Sequence, residues 1–136
     1  MSAPYAAGDN FRIVVDGGRA TVTIWRRPDL DSATGARNAN EMAAHVRTLT
    51  PEISALMLDL REAPLVAGPK TVDTLSELLR GCEKAGVPVA VVLSGDAMQL
   101  LQFRRLVTTY APTRGKVAVS TAEADAHLAR KASSRR

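Results

Sequence analysis

The chain has one cysteine, one tryptophan and two histidines, and aromatic residues fill only 4% of its 136 positions. Each scarcity excludes something. A single thiol forms no internal disulfide, so the fold must rest on buried apolar surface. A chain of this length can bury a sufficient core in one domain without metals or cross-links. His45 and His127 stand alone and Cys82 is isolated between them, so the short-spaced ligand sets that metals require are missing from the sequence. So few aromatics provide no stacking platform for single-stranded nucleic acid. No apolar run approaches the roughly 18 residues that would span a bilayer. The opening MSAPYAAGDN has neither the basic start nor the apolar centre of a secretory signal. A cytoplasmic protein without a cofactor or a membrane span is the expectation.

The net charge of +4 invites a nucleic-acid reading. Its distribution argues against one. The last seven residues carry Arg130, Lys131, Arg135 and Arg136 and no acid; without those four, fourteen basic residues face fourteen acidic ones. A neutral body with a short basic tail is not the broad cationic face that counterion release exploits. Residues 1–10 and 130–136 read as loose ends, and 11–129 as one domain.

What is present is regular. Phe11, Ile13 and Val15 alternate with Arg12, Val14 and Asp16; Val22 and Ile24 alternate with Thr21, Thr23 and Trp25. Between them, Gly17-Gly18 suits a tight hairpin turn. A polar stretch follows, and then Ala39, Met42, Ala43, Val46 and Leu49 share a helical face over residues 36–49, stopped by Pro51. ISALMLDL, residues 53–60, is almost continuously apolar, as a strand covered on both sides should be. Val72, Leu75, Leu78, Leu79 and Cys82 mark a second helix over 71–85, with Pro69 at its start and Gly86 at its end. VPVAVVL, residues 87–93, is another buried strand. A third helix over 96–110 turns Leu100, Phe103, Leu106, Val107 and Tyr110 inward. A short strand at 116–119 and a capping box from Ser120 to Glu123 lead into a last helix. The predicted order is β-β-α-β-α-β-α-β-α, an α/β fold whose later strands are parallel.

In this order the chain resembles the STAS domain, the fold of bacterial anti-sigma factor antagonists. ISALMLDLREAPLV resembles the family's third strand, with Asp59-Leu60 on its Asp-Leu dipeptide. LSELLRGCEKAGVPVAVVLSG resembles the helix, glycine turn and strand that follow, and MQLLQFRRLVTTYAPTRGKVAVSTAEADAHL the closing elements. The likeness covers Phe11 to Leu128. It implies a non-enzymatic protein-interaction module in bacterial signalling or a regulatory assembly. The implied partners are an anti-sigma factor or kinase-like protein, another STAS-containing assembly, or a second copy in a homodimer.

One departure bears on mechanism. The family's phosphorylatable Asp-Ser-Ser-Gly falls on Ala67-Gly68-Pro69-Lys70, where no hydroxyl stands. A phospho-switch needs a hydroxyl at a helix N-terminus, where backbone N–H groups stabilise the added phosphate. Thr71 is the nearest, one or two positions late, and reads as a helix-start residue. The interaction surface implied by this register is Pro64, Leu65, Val66, Gly68, Lys70, Thr71, Asp73, Thr74 and Glu77, with Arg80 and Lys84 further along the helix. Pro64, Leu65 and Val66 form either an exposed patch or a plug for the end of the sheet.

Two other readings follow from other residues. A small-ligand or lipid binder would have a cavity between the sheet and helix 96–110, lined by Leu100, Phe103 and Val107. VDGGRATVTIWRRPD and Leu65-Val66-Ala67-Gly68 also resemble the opening of the crotonase fold, which normally runs to roughly twice this length and has a second glycine loop absent here. Cys82 reads as core, His45 and His127 as exposed or boundary residues, and Ser94-Gly95-Asp96 as a strand–helix turn with a helix cap. Asp59 has no partner carboxylate for acid–base work.

Overall fold

The hairpin forms as its glycines require. Gly17 and Gly18 take φ of +60° and +84°, the two positive values of a turn that matches strand twist. They join β2 (Phe11–Asp16) to β3 (Arg19–Trp25) in an antiparallel register from Phe11 opposite Ile24 to Asp16 opposite Arg19. The computed structural model describes residues 4–134, so Arg135 and Arg136 of the basic end lie outside the described residues.

After the hairpin the chain alternates: α1 (Ser32–Leu49), β4 (Ala55–Glu62), α2 (Pro69–Ala85), β5 (Val89–Val92), α3 (Ala97–Tyr110), β6 (Gly115–Ala118) and α4 (Thr121–Ser134). The caps are local. Asp31 accepts a hydrogen bond from the Thr34 N–H, which starts α1 at Ser32, four residues before the expected start at residue 36. Gly86 ends α2 in the left-handed conformation at φ +75°. Ser120 caps α4 by accepting from the Glu123 N–H, and the Glu123 carboxylate reaches back to the Val119 N–H, a capping box displaced by one residue.

One element departs from expectation. Residues Pro4–Ala7, within a stretch expected to be loose, form an edge strand, β1, antiparallel to β2. The order is therefore β-β-β-α-β-α-β-α-β-α. Its sequence, PYAA, has no alternation of large apolar residues, and backbone pairing to Ile13 and Arg12 holds it. The following turn needs Gly8, because a Cβ there would collide with the Phe11 ring and Asn38 Oδ1. At the other end, α4 continues through Arg130 and Lys131 to Ser134, where a basic tail was expected to begin.

The six strands lie in sequential order, β1 to β6; the first two pairings are antiparallel and the last three parallel. Each right-handed crossover steps one strand in the same direction, which stacks α1, α2 and α3 on one face. There Ile13, Val22, Leu56, Leu58 and Val91 meet Met42, Val46, Leu79 and Phe103. On the other face α4 lays Ala124 and Leu128 over Ala55, Met57, Ala90, Val92 and Ala118. This double cover explains why ISALMLDL and VPVAVVL carry no polar alternation. Among the described residues no helix is long and apolar enough to cross a membrane.

Candidate functional site

The parallel strands β3, β4 and β5 end together, so their following loops (residues 26–31, 63–68 and 93–96) gather at one end of the sheet. In open α/β sheets this carboxyl end is where ligands are met; the strand order here has no reversal to open a crevice, so the loops themselves form the surface. Three side-chain amides build it. Gln99 is fully buried; its Oε1 accepts from the Ser94 N–H and Ser94 hydroxyl, each at 3.0 Å, and its Nε2 donates to the Leu60 carbonyl at 2.9 Å. Gln102, one turn along α3, grips the β4–α2 loop through both polar atoms of Ala67: N–H to Oε1 at 2.9 Å and Nε2 to C=O at 3.1 Å. Asn38, buried in α1, accepts from the Asp9 N–H and donates to the Asp9 carboxylate and the Thr34 carbonyl. Sequence reasoning missed all three. Their only signal was polar residues standing on helices without a charge partner.

The loop that Gln102 holds is apolar and outward-facing. Pro64 is exposed, and Leu65 and Val66 keep 47% and 55% of their surface in water. Across from them, in the first two turns of α3, Met98 and Leu101 are 60% and 50% exposed. These two were not singled out from the sequence, because they stand off the inward stripe of Phe103, Leu106 and Val107. The plug reading of Pro64, Leu65 and Val66 holds only in part: Pro64 and Val66 each turn one side toward a cavity beneath the loop.

That cavity, of about 130 Å³, is lined by Phe11, Ile24, Met42, Leu60, Leu75 and Phe103 among others, with Asn10, Asn38 and Thr71 as its polar groups. It lies between α1, the start of α2 and the sheet. Of the three residues expected to line a cavity under α3, Phe103 lines this one, whereas Val107 is buried in the core and Leu100 packs against it. An outer hollow of about 300 Å³ continues from it, sharing Asn10, Gly35, Pro64, Gly68 and Thr71 and adding Arg26, Arg27 and Asp31.

The remaining candidates separate. Lys70, Asp73 and Glu77 line the exposed side of α2, and Gly68 is exposed at its start. Glu77 pairs with Arg80 at 2.7 Å, and the Arg80 guanidinium sits 5.1 Å from the Tyr110 ring centre. Thr74 is half-buried and donates to Asn40 of α1 at 2.7 Å, so it joins two helices rather than facing outward. Thr71 is half-buried in the third position of α2, beside the cavity. Lys84 is exposed at the opposite end of α2.

Asp59 and Cys82, the carboxylate and thiol considered from the sequence, are each held by their surroundings. The Arg61 side chain hydrogen-bonds both oxygens of Asp59, which holds that carboxyl below its ordinary range. Burial pushes the Cys82 thiol up to about 12, far from a thiolate at neutral pH. Ser94 and Asp96 close the strand–helix turn; Asp96 caps α3 through the Met98 and Gln99 N–H groups. His45 is half-buried beside Tyr5 and Phe11.

His127 corrects the expectation of a boundary residue. It is 3% exposed, its Nε2 lies 3.0 Å from the Arg114 carbonyl, and its Nδ1 has no partner among the described residues. It follows Ala124 by three positions and so shares that residue's inward face. Among the described residues no group of three or more His, Cys, Asp or Glu is placed to hold a metal ion. No family model, curated protein or solved structure matches this chain.

Proposed function

We propose that the protein is a non-enzymatic, STAS-like interaction module of a bacterial signalling or regulatory assembly, and that its partner binds the end of the sheet where the β4–α2 loop meets α3. The observation that carries this reading is the exposure of Leu65, Val66, Met98 and Leu101 at one end of the fold. Apolar groups of this size left in water favour association, and they sit on a support fixed by the two hydrogen bonds from Gln102 to Ala67. The exposed Lys70, Asp73 and Glu77 of α2 supply a mixed-charge rim beside the loop. With Gly68 and Pro69 where the family's serines stand, binding is not governed by phosphorylation at that site.

Size-exclusion chromatography of the purified protein, followed by capture from host lysate on the wild type and on a Leu65→Lys/Met98→Lys double variant, tests this. The reading expects a retained protein, or self-association into a homodimer, that the double variant loses. A strict monomer that retains nothing, or retention equal in both forms, contradicts it.

A further inference from the structure

The cavity beneath the loop has a shape and a charge pattern that partner binding leaves unused. Its inner wall is apolar, and the amide of Asn38 is already engaged by Asp9 and Thr34. The Thr71 hydroxyl, by contrast, makes no hydrogen bond among the described residues. The throat to the outer hollow runs between Gly35, in the first turn of α1, and Gly68, just ahead of α2. Neither glycine has a positive φ, and a Cβ at either position would meet nothing within 4 Å. Neither the backbone nor a close neighbour demands glycine there, so a Cβ fits at either position without a clash. An apolar void of about 130 Å³ is the size that accepts a ring or branched chain of about six carbons.

The mouth leaves one sign of charge unanswered. Asp31 is engaged in capping the Thr34 N–H, and Arg27 in pairing with Asp29 and the Asp9 carbonyl. The Arg26 guanidinium, also on the rim of the outer hollow, has no such partner among the described residues. The first N–H groups of α2 receive no side-chain cap, since residue 68 is glycine, and they add a weaker preference for negative charge on the same side.

We propose that this cavity binds a small amphiphilic carboxylate, its apolar part of about six carbons between α1, α2 and the sheet and its carboxylate at the mouth beside Arg26 and Thr71. The apolar part is held by burial, and the head group by a charge-assisted hydrogen bond.

Benzoate, benzyl alcohol and benzylamine share one ring and differ in head group, so they serve as probes. Each is titrated into the isolated 136-residue chain, with backbone amides followed by NMR, which separates this test from partner capture. Benzoate should shift the amides of Gly35, Gly68, Thr71 and Phe103 saturably, with a dissociation constant of about 1 mM or tighter. Benzylamine should bind at least about tenfold more weakly. Gly35→Leu, and independently Gly68→Val from the other side of the throat, should abolish saturation while leaving the remaining spectrum folded. Arg26→Gln should weaken benzoate by roughly threefold to tenfold and leave benzyl alcohol unchanged. The proposal is overturned by absence of saturable shifts with benzoate, by binding that survives either throat variant, or by benzylamine binding as well as benzoate.

Discussion

The two ends of the sheet use the same device to different effect. At the end where β4 and β5 finish, Gln99 and Gln102 grip loop backbone, and Leu65, Val66, Met98 and Leu101 are left in water. Val119, after β6, is exposed at the same end near the sheet's edge. At the opposite end Glu83 takes the N–H groups of Thr113 and Arg114, and His127 meets the Arg114 carbonyl. There the neighbouring apolar residues, Val87 and Ala111, are fully buried; Tyr5, 45% exposed, stands apart on the edge strand β1 beside His45. A polar side chain that closes a loop therefore seals one end and presents the other. The difference lies in what the loop carries, not in how it is held.

Breaking the grip should show which end depends on it more. Gln99→Leu keeps the volume but strips partners from the buried Leu60 carbonyl and the Ser94 N–H, so it should cost about 2–4 kcal/mol in denaturant unfolding. Glu83→Ala frees amides at a loop that water reaches and should cost about 1 kcal/mol. Equal losses would remove the distinction drawn between a buried support and a surface clasp.

The smallest effect is expected from His127. Burial holds its imidazole below the ordinary value; the Arg114 carbonyl opposes that, and the charges of Arg130, Lys131 and Lys116 reinforce it. The unfolded chain takes up a proton near pH 6.5, whereas the folded one resists until lower pH. Stability from this residue is therefore complete above that value and falls on acidification through it. Comparing unfolding midpoints at neutral and mildly acidic pH should give a smaller drop for His127→Gln than for the wild type. An identical drop would assign the pH dependence to other groups.

The sequence made the framework legible because the framework is periodic. The stripes of α1, α2 and α3, the unbroken apolar runs of β4 and β5, the two hairpin glycines and the Pro69 and Gly86 boundaries all lie within local patterns. What escaped has long-range causes. β1 is held by pairing, not by its own alternation. Gln102 and Gln99 meet partners 35 and 39 residues away, which no local spacing encodes. Met98 and Leu101 look like ordinary helix formers until their side chains are seen to point outward. His127 resembled a surface residue because Ala124, beside it on the same face, is too small to mark that face as inward. The loop from Pro64 to Val66 was legible as unusual, but its two roles, cavity wall and outer surface, needed coordinates.

Site-specific photo-crosslinking in host cells tests the central claim, that the apolar end is the working face, most directly. A photoreactive amino acid replaces Leu101 in one strain and Lys84, exposed at the opposite end, in another. The account predicts a discrete crosslinked product from position 101, a partner or a second copy of the chain, and none from position 84. No product at 101, or the same product from both positions, would contradict it.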